Sequence, residues 1–282
     1  LKISLIVTSI DRRYELERLF NSLIYFKEGN LEVIFVDQNI TDENKALIGY
    51  YDNMINIRHI HVKKRLSLSA ARNVGLNHAT GELIGFPDDD CWYEKEFFPN
   101  LLNTFDKIKT DFICCSVYDP IEKKNYSNKF SEQDVVMINK TNAFRYTTSV
   151  GIFYKSNSLN MRLFDEELGL GAKWFGGEDL DFVLAMIKDK YEGYFINSLK
   201  VYHEIEKGTY NVEKTYKYNI GFGAVLKKSF SQYNNINGLF IFIEKTFKIS
   251  LKALYYTIKN NKYEKENLVS ILKGLTHGFL NY

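Results

Sequence analysis

The 282-residue chain is 45% hydrophobic and 26% charged, close to the soluble globular average, which excludes a disordered, collagen-like or fibrous protein. Three cysteines, two of them adjacent at Cys114 and Cys115, exclude a disulfide framework and a Cys-x-x-Cys metal motif and point to a reducing compartment. The formal charge of +2 gives no reason to expect nucleic-acid binding, but it sums unlike parts: residues 207–282 hold twelve lysines and four acids, net +8, which leaves −6 on the first 206 residues.

Residues 3–8 are a short apolar run that predicts a strand; they lack the basic n-region and small-residue cleavage site of a signal peptide. Leu16, Leu19, Phe20, Leu23 and Ile24 then recur at helical spacing. Residues 31–36 predict a second strand, 41–51 a helix, and the alternation over 57–62 a third strand. A helix over 70–79, opened by Ser67 or Ser69, stops near Gly81, and the strand 82–86 ends at Pro87-Asp88-Asp89-Asp90. Alternation of this kind builds βα units around a mostly parallel sheet. Further on, the chain predicts a helix near 94–107, a strand at 111–117, a polar loop to about Asn139, a strand at 150–154, a helix at 178–188 and a strand at 194–203. After Tyr210 it turns aromatic, lysine-rich and helical. The window 236–258 is interrupted by Glu244, Lys245, Lys248 and Lys252, too many charges for a membrane span.

The acid cluster follows a buried strand directly, so its carboxylates should lie at the C-terminal sheet edge, where open α/β sheets bind ligands. Asp88 and Asp90 can share a face of an extended segment while Asp89 turns elsewhere. Oxygen ligands so spaced suit Mg²⁺ or Mn²⁺ together with nucleotide phosphates, and a solvated acidic turn is the alternative. In Gly176-Gly177-Glu178-Asp179-Leu180-Asp181, two glycines precede an acidic helix start, which answers either the helix dipole or a need for a general base; Trp174 and the glycines favour a tight backbone near a ligand. Arg72, within Ala71-Arg72-Asn73-Val74-Gly75, reads as a ligand contact or a surface arginine. Asp37 ends an apolar strand at the ligand edge or in an exposed loop, and His203 closes the last strand as a structural residue or a metal ligand.

Taken in order, strand–Thr8, strand–Asp37, Ala71-Arg72-Asn73, Gly81 to Trp92 with its Pro87-Asp88-Asp89-Asp90, Gly177-Glu178-Asp179 and strand–His203, the chain resembles the family-2 nucleotide-sugar glycosyltransferases with the GT-A fold, over roughly residues 2–228. The resemblance is to the type found in bacterial capsule and O-antigen assembly. It implies a Rossmann-like, mostly parallel α/β sheet flanked by helices, with a GT-A catalytic domain over 1–210 (nucleotide-sugar half about 1–92, acceptor half about 93–210) and a basic helical extension over 211–282. It implies that Thr8, Asp37, Arg72, Asp88 and Asp89 bind the nucleotide-sugar, that Asp88 and Asp90 are the ends of a D-x-D motif with Asp90 holding Mn²⁺ or Mg²⁺, and that His203 joins the metal. Asp179 resembles the base that deprotonates the acceptor hydroxyl, with Glu178 as its neighbour. Many members have Asp-Asp-Gly-Ser where this chain has Asp37-Gln38-Asn39-Ile40, a departure in the base-recognition loop.

The expected activity is inverting, metal-dependent transfer of a sugar, from a UDP-sugar, to a glycan acceptor that is lipid-linked, at the cytoplasmic face of the membrane. Leu239, Phe240, Phe242, Ile243, Phe247, Leu251, Leu254 and Tyr255, with lysines among them, fit an amphipathic helix on an anionic membrane; a cap on the catalytic domain or a homo-oligomer interface is the alternative. Two other functions remain open from the residues: a nucleotidyltransferase on a similar sheet, which would release pyrophosphate and need no Glu178-Asp179 base, and a non-catalytic nucleotide-binding or membrane-scaffold protein.

Overall fold

The structure is a computed structural model that describes residues 1–26, 30–126, 133–156, 162–205 and 211–282. Packing divides the chain into two compact units, one of Leu1–Leu66, Ala70–Phe164 and Asp189–Ile205, the other of Ser67–Ser69, Asp165–Lys188 and Glu206–Tyr282.

The first unit opens with β1 (Ile3–Ser9), α1 (Arg13–Leu23), β2 (Leu31–Asp37), α2 (Lys45–Tyr51), β3 (Asn56–His61), all but the first two residues of α3 (Leu68–Leu76), and β4 (Leu83–Gly85). It continues through β5 (Cys91–Trp92), α4 (Phe97–Ile108), β6 (Phe112–Asp119), β7 (Lys124–Asn125), β8 (Val135–Ile138), α5 (Ala143–Tyr146), a 3-10 turn at Ser149–Gly151 and β9 (Ile152–Lys155). After α6 (Glu178–Lys188) of the second unit comes β10 (Gly193–His203). The strands form one sheet in the order β3-β2-β1-β4-β9-β6-β10-β5, with β7 on β6 and β8 on β10. β1 to β4 pair in parallel, as do β6 and β10; β9 runs opposite between β4 and β6, so the six principal strands share one direction. This is the expected mixed, mostly parallel α/β sheet.

Every residue of β2 is buried and β1 nearly so, as strands covered on both faces require. α1 buries Leu16, Leu19, Phe20 and Leu23, the spacing read from the sequence, and Phe20 packs edge-on against Phe35 and Tyr51. α2 is shorter than its pattern predicts, because Asp42 accepts from the Lys45 amide in a turn and the Asn44 side chain donates to Asp37. α3 starts at Leu68, immediately after Ser67. The hydroxyl of Ser69, the other capping candidate, donates to the Leu168 carbonyl within the second unit. β5, β7, β8 and α5 carry no periodic signal; the polar loop expected up to Asn139 holds β7 and β8, and its residues 127–132 lie outside the described residues.

The second unit is helical, with α6, α7 (Val212–Gln232), α8 (Asn237–Ile258) and α9 (Lys262–Asn281). Residues 207–210 of the basic tail lie outside the described residues. Gly274 and Gly278 of α9 sit on the Tyr216 and Ile220 carbonyls of α7, where a Cβ would overlap backbone, so the two helices approach as closely as backbones allow. The sequence reading places the boundary near residue 210; by packing, Asp165–Lys188 belongs with the C-terminal helices. Lys228 explains the association, since its ammonium, almost fully buried, lies 2.6 Å from Asp165 and 2.8 Å from Asp181. Tyr233 adds a 2.7 Å hydrogen bond to Asp181. Burial disfavours its charge, but Asp181 and Asp165 outweigh burial and hold Lys228 protonated well above the ordinary lysine value.

Lys228→Ala should therefore lower the melting temperature by about 6–20 °C, the effect of leaving buried carboxylates without their cation at ~3–5 kcal/mol. Burial acts against the Asp165 carboxylate, yet Lys228 holds its pKa below the ordinary value. Its stabilisation is then intact above the unfolded pKa and fades only as pH falls below about 4. Thermal unfolding of parent and variant across acid pH tests both points, and equal melting temperatures would remove Lys228 as a structural centre.

Candidate active site

Because β1, β2 and β4 are parallel neighbours, their C-terminal ends share one edge. Ser9 of β1 lies in register with Asp37 of β2, and β4 runs out into Phe86-Pro87-Asp88. β5 follows the acids and pairs antiparallel with β10, setting His203 opposite Cys91. That pairing, two residues long, brings the imidazole to Asp90, with His203 Nε2 at 3.1 Å from Asp90 Oδ1.

The three acids have different surroundings. Asp88 Oδ1 accepts from Arg72 Nη2 at 2.9 Å, and its side chain is about one-third exposed. Arg72 itself is buried against the Phe86 and Phe164 rings at 5.9 and 5.4 Å. Asp89 points inward, where Ser9 Oγ donates to it at 2.6 Å and Arg12 stands 3.3 Å away. Burial pushes the Asp89 carboxyl up to about 7, although Ser9 and Arg12 pull the other way. Asp90 receives Arg12 Nη1 on Oδ2 at 2.6 Å, and Arg18 Nη2 donates to its carbonyl at 2.8 Å. Burial opposes its charge, but His203 and Arg12 prevail and bring the pKa down to about 2. The same contact works on His203, whose burial favours the neutral ring while Asp90 and Asp88 raise its pKa above the ordinary value.

A divalent cation fits this corner on the protein's own evidence. Asp90 Oδ1 faces the His203 ring at 3.1 Å, His203 Nδ1 is buried without a hydrogen-bond partner, and donor atoms of Asp90, Cys91 and His203 lie within 4.8 Å of one another. An ionised carboxylate beside an imidazole suits Mn²⁺ better than Mg²⁺, which prefers oxygen ligands throughout. The Cys91 thiol does not: burial lifts its pKa well above the ordinary value, which leaves it a structural thiol.

Several residues expected at the ligand also have protein partners. Asp37 is fully buried; its oxygens accept from the Asn39 amide at 3.0 Å and Asn44 Nδ2 at 3.2 Å, and His59 Nε2 lies at 3.1 Å. Its carboxylate orders the loop after β2, where Asn39 in turn receives the Asp11 amide on its side chain. Thr8, half-buried and opposite Val36, occupies the next-to-last position of β1. Arg72 sits beneath Asp88, and Asp89 anchors the acid turn to β1. Sequence reasoning missed Ser9, Arg12 and Arg18; the basic Arg12-Arg13 pair just beyond the edge of β1 was the available signal for Arg12.

In the second unit, Glu178, Asp179 and Asp181 fall in the first turn of α6. Gly176 and Gly177 have φ of +104° and +84°, and a Cβ on Gly177 would lie 2.7 Å from Val225, so both geometry and space require glycine. Glu178 is buried. Asp181 is engaged with Lys228 and Tyr233, whereas Asp179 is partly exposed, and its Oδ1 accepts from the Leu180 amide at 2.7 Å. Trp174, expected near a ligand, is buried against Tyr282 and His277 at ring distances of 5.5 and 6.4 Å. It is a core residue of this unit.

The family model described as "Glycosyl transferase family 2" matches residues 4–169. The "Minor teichoic acid biosynthesis protein GgaB" of Bacillus subtilis (strain 168) is 26% identical over 210 residues, which cover 72% of this chain and 22% of that protein. The chain thus spans about a fifth of that relative's length. Among solved structures, S. aureus TarS 1-349 in complex with UDP-GlcNAc aligns at 18% identity and a TM-score of 0.64, covering 98% of this chain and 90% of that one. The mannosyltransferase PcManGT from Pyrobaculum calidifontis, in complex with GDP-Man and Mn²⁺, aligns at 11% identity and a TM-score of 0.68, covering 99% and 87%.

Proposed function

Since the chain belongs to glycosyl transferase family 2 and has the GT-A fold, we propose that it is an inverting transferase that moves a sugar from a UDP-sugar to a hydroxyl of a lipid-linked glycan or surface polymer. The observation that carries the proposal is the Asp88–Asp90–His203 arrangement at the edge shared by β1, β2 and β4. The UDP-GlcNAc bound by the TarS structure and the teichoic-acid role in the name of GgaB support the donor and acceptor classes.

Asp90 and His203 would hold the divalent cation. When bound, such a cation offsets the negative charge that builds on the leaving diphosphate. Arg72, almost fully buried, fixes Asp88 so that its partly exposed carboxylate can meet the ribose and diphosphate. Arg12 holds Asp90 Oδ2 and so keeps Oδ1 turned towards His203, the pair that would share the cation. Asp89, tied to Ser9, keeps the turn from rotating its neighbours out of position. Asp179 takes the acceptor proton as general base; its partly exposed carboxylate supports this, in contrast to the buried Glu178 and the ion-paired Asp181. Direct displacement by the deprotonated hydroxyl inverts the anomeric centre.

A panel of nucleotide-sugars screened by thermal shift and product analysis, with and without Mn²⁺, tests the proposal. Stabilisation by one UDP-sugar that depends on Mn²⁺, followed by free UDP and a glycoside, is expected. Pyrophosphate as product, or no stabilisation by any donor, would refute it.

A further inference from the structure

Helix α8 is apolar on two opposite faces. The first packs within the helical unit, where Gly238 rests on the Leu226 carbonyl and Phe242 stacks on Phe279 with ring centroids 3.9 Å apart. The second carries Phe240, Ile243, Phe247, Leu251, Leu254 and Ile258, spaced three or four residues apart and each 52–74% exposed. Such a row amounts to on the order of 700 Å² of apolar surface, above the ~300–600 Å² of the largest patch on a usual monomer. It follows a helix about 33 Å long. At 100° per residue Lys248, Lys252 and Lys259 fall to one side of this row, about 90–130° from its centre line, while Lys245 turns further round, its Nζ 5.2 Å from the centroid of the Phe222 ring of α7. Glu244 is the acid of the helix, and it pairs with Lys248. Among the described residues no helix is long and apolar enough to cross a membrane.

We infer that α8 docks the protein on an anionic lipid bilayer, with the exposed row at the acyl boundary and the bordering lysines among the headgroup phosphates. Charge selects this occupant. An apolar row beside a lysine border, in a segment of net +8, is the pattern of an interfacial helix drawn to acidic lipids. A second copy of the chain would present the same positive charge to itself, and like charges across an interface disfavour pairing. The inward face is already used by α7 and α9, so the outward row can enter the lipid interface without the helical unit opening. Docking requires neither donor nor acceptor, and its test stands apart from the transferase reading.

The full chain is mixed with vesicles of phosphatidylcholine alone, or of phosphatidylcholine with phosphatidylglycerol, and sedimented at low and high salt. Binding to the mixed vesicles that weakens with salt is expected, with little binding to the neutral ones. Phe247→Ser with Leu251→Ser should lower the bound fraction about tenfold at an unchanged melting temperature, because both side chains are exposed. Lys252→Gln with Lys259→Gln should lower affinity roughly fivefold per lysine at low salt. Absence of binding to the mixed vesicles, equal binding to neutral ones, or equal binding of the Phe247 and Leu251 variant would overturn the inference. So would light scattering that shows a dimer in the parent and a monomer in that variant, since the row would then join two copies.

Discussion

Replacing Asp90 by asparagine is expected to lower sugar transfer by about 10²–10³-fold, the scale of removing one electrostatic contact to charge that develops in the transition state. Asparagine has nearly the same volume, and its carbonyl can still accept from Arg12, so the turn should hold its shape. What disappears is the charge that His203 and Arg12 maintain by keeping the Asp90 pKa near 2. Manganese affinity should fall with it, which is measurable by titrating free Mn²⁺ in an electron spin resonance experiment without any donor sugar. A variant with parental turnover and parental Mn²⁺ affinity would take Asp90 out of the metal site.

Asp179→Asn should lower kcat by about 10²–10⁴-fold, the usual worth of a positioned general base. The amide can still accept from the Leu180 amide, as the carboxylate does at 2.7 Å, so the start of α6 keeps its geometry. UDP-sugar and Mn²⁺ should bind as in the parent, which separates loss of the base from loss of the donor site. Single-turnover transfer measured beside donor affinity makes the distinction. Near-parental kcat in the variant would assign the proton to another group, and equal losses in donor affinity and kcat would move Asp179 to donor binding.

Much of the parallel half of the sheet was legible because burial there is periodic. Leu16, Leu19, Phe20 and Leu23 advertise the inner face of α1, and the uniformly apolar β2 advertises a strand covered on both sides. The position of Asp88 and Asp90 followed from one rule, that ligands bind beyond the carboxyl ends of parallel strands. Side-chain direction was less accessible. Asp37 and Asp89 turn inward because Asn44 and His59 in one case, and Ser9 in the other, supply partners from distant parts of the chain. Arg72 is not the surface arginine that its helix allows, and no local pattern reveals that Phe86 and Phe164 enclose it beneath Asp88. The mixed spacing of apolar residues in α8 had a simple cause once seen, since Phe242 belongs to an inward face and Phe240 to an outward one.

The two-residue pairing of β5 with β10 also bears on when the site comes into being. Asp90 and His203 are separated by 113 positions in the chain, and His203 is the last residue of the last strand in the sheet. A chain emerging from the ribosome has its acid turn early but must wait for more than a hundred further residues before an imidazole can reach it. Contacts of such sequence separation form late in folding, because the intervening loop must close first. On the proposed metal reading, affinity for the cation would be acquired with completion of the sheet, because partly folded chains carry the acids without His203 beside Asp90.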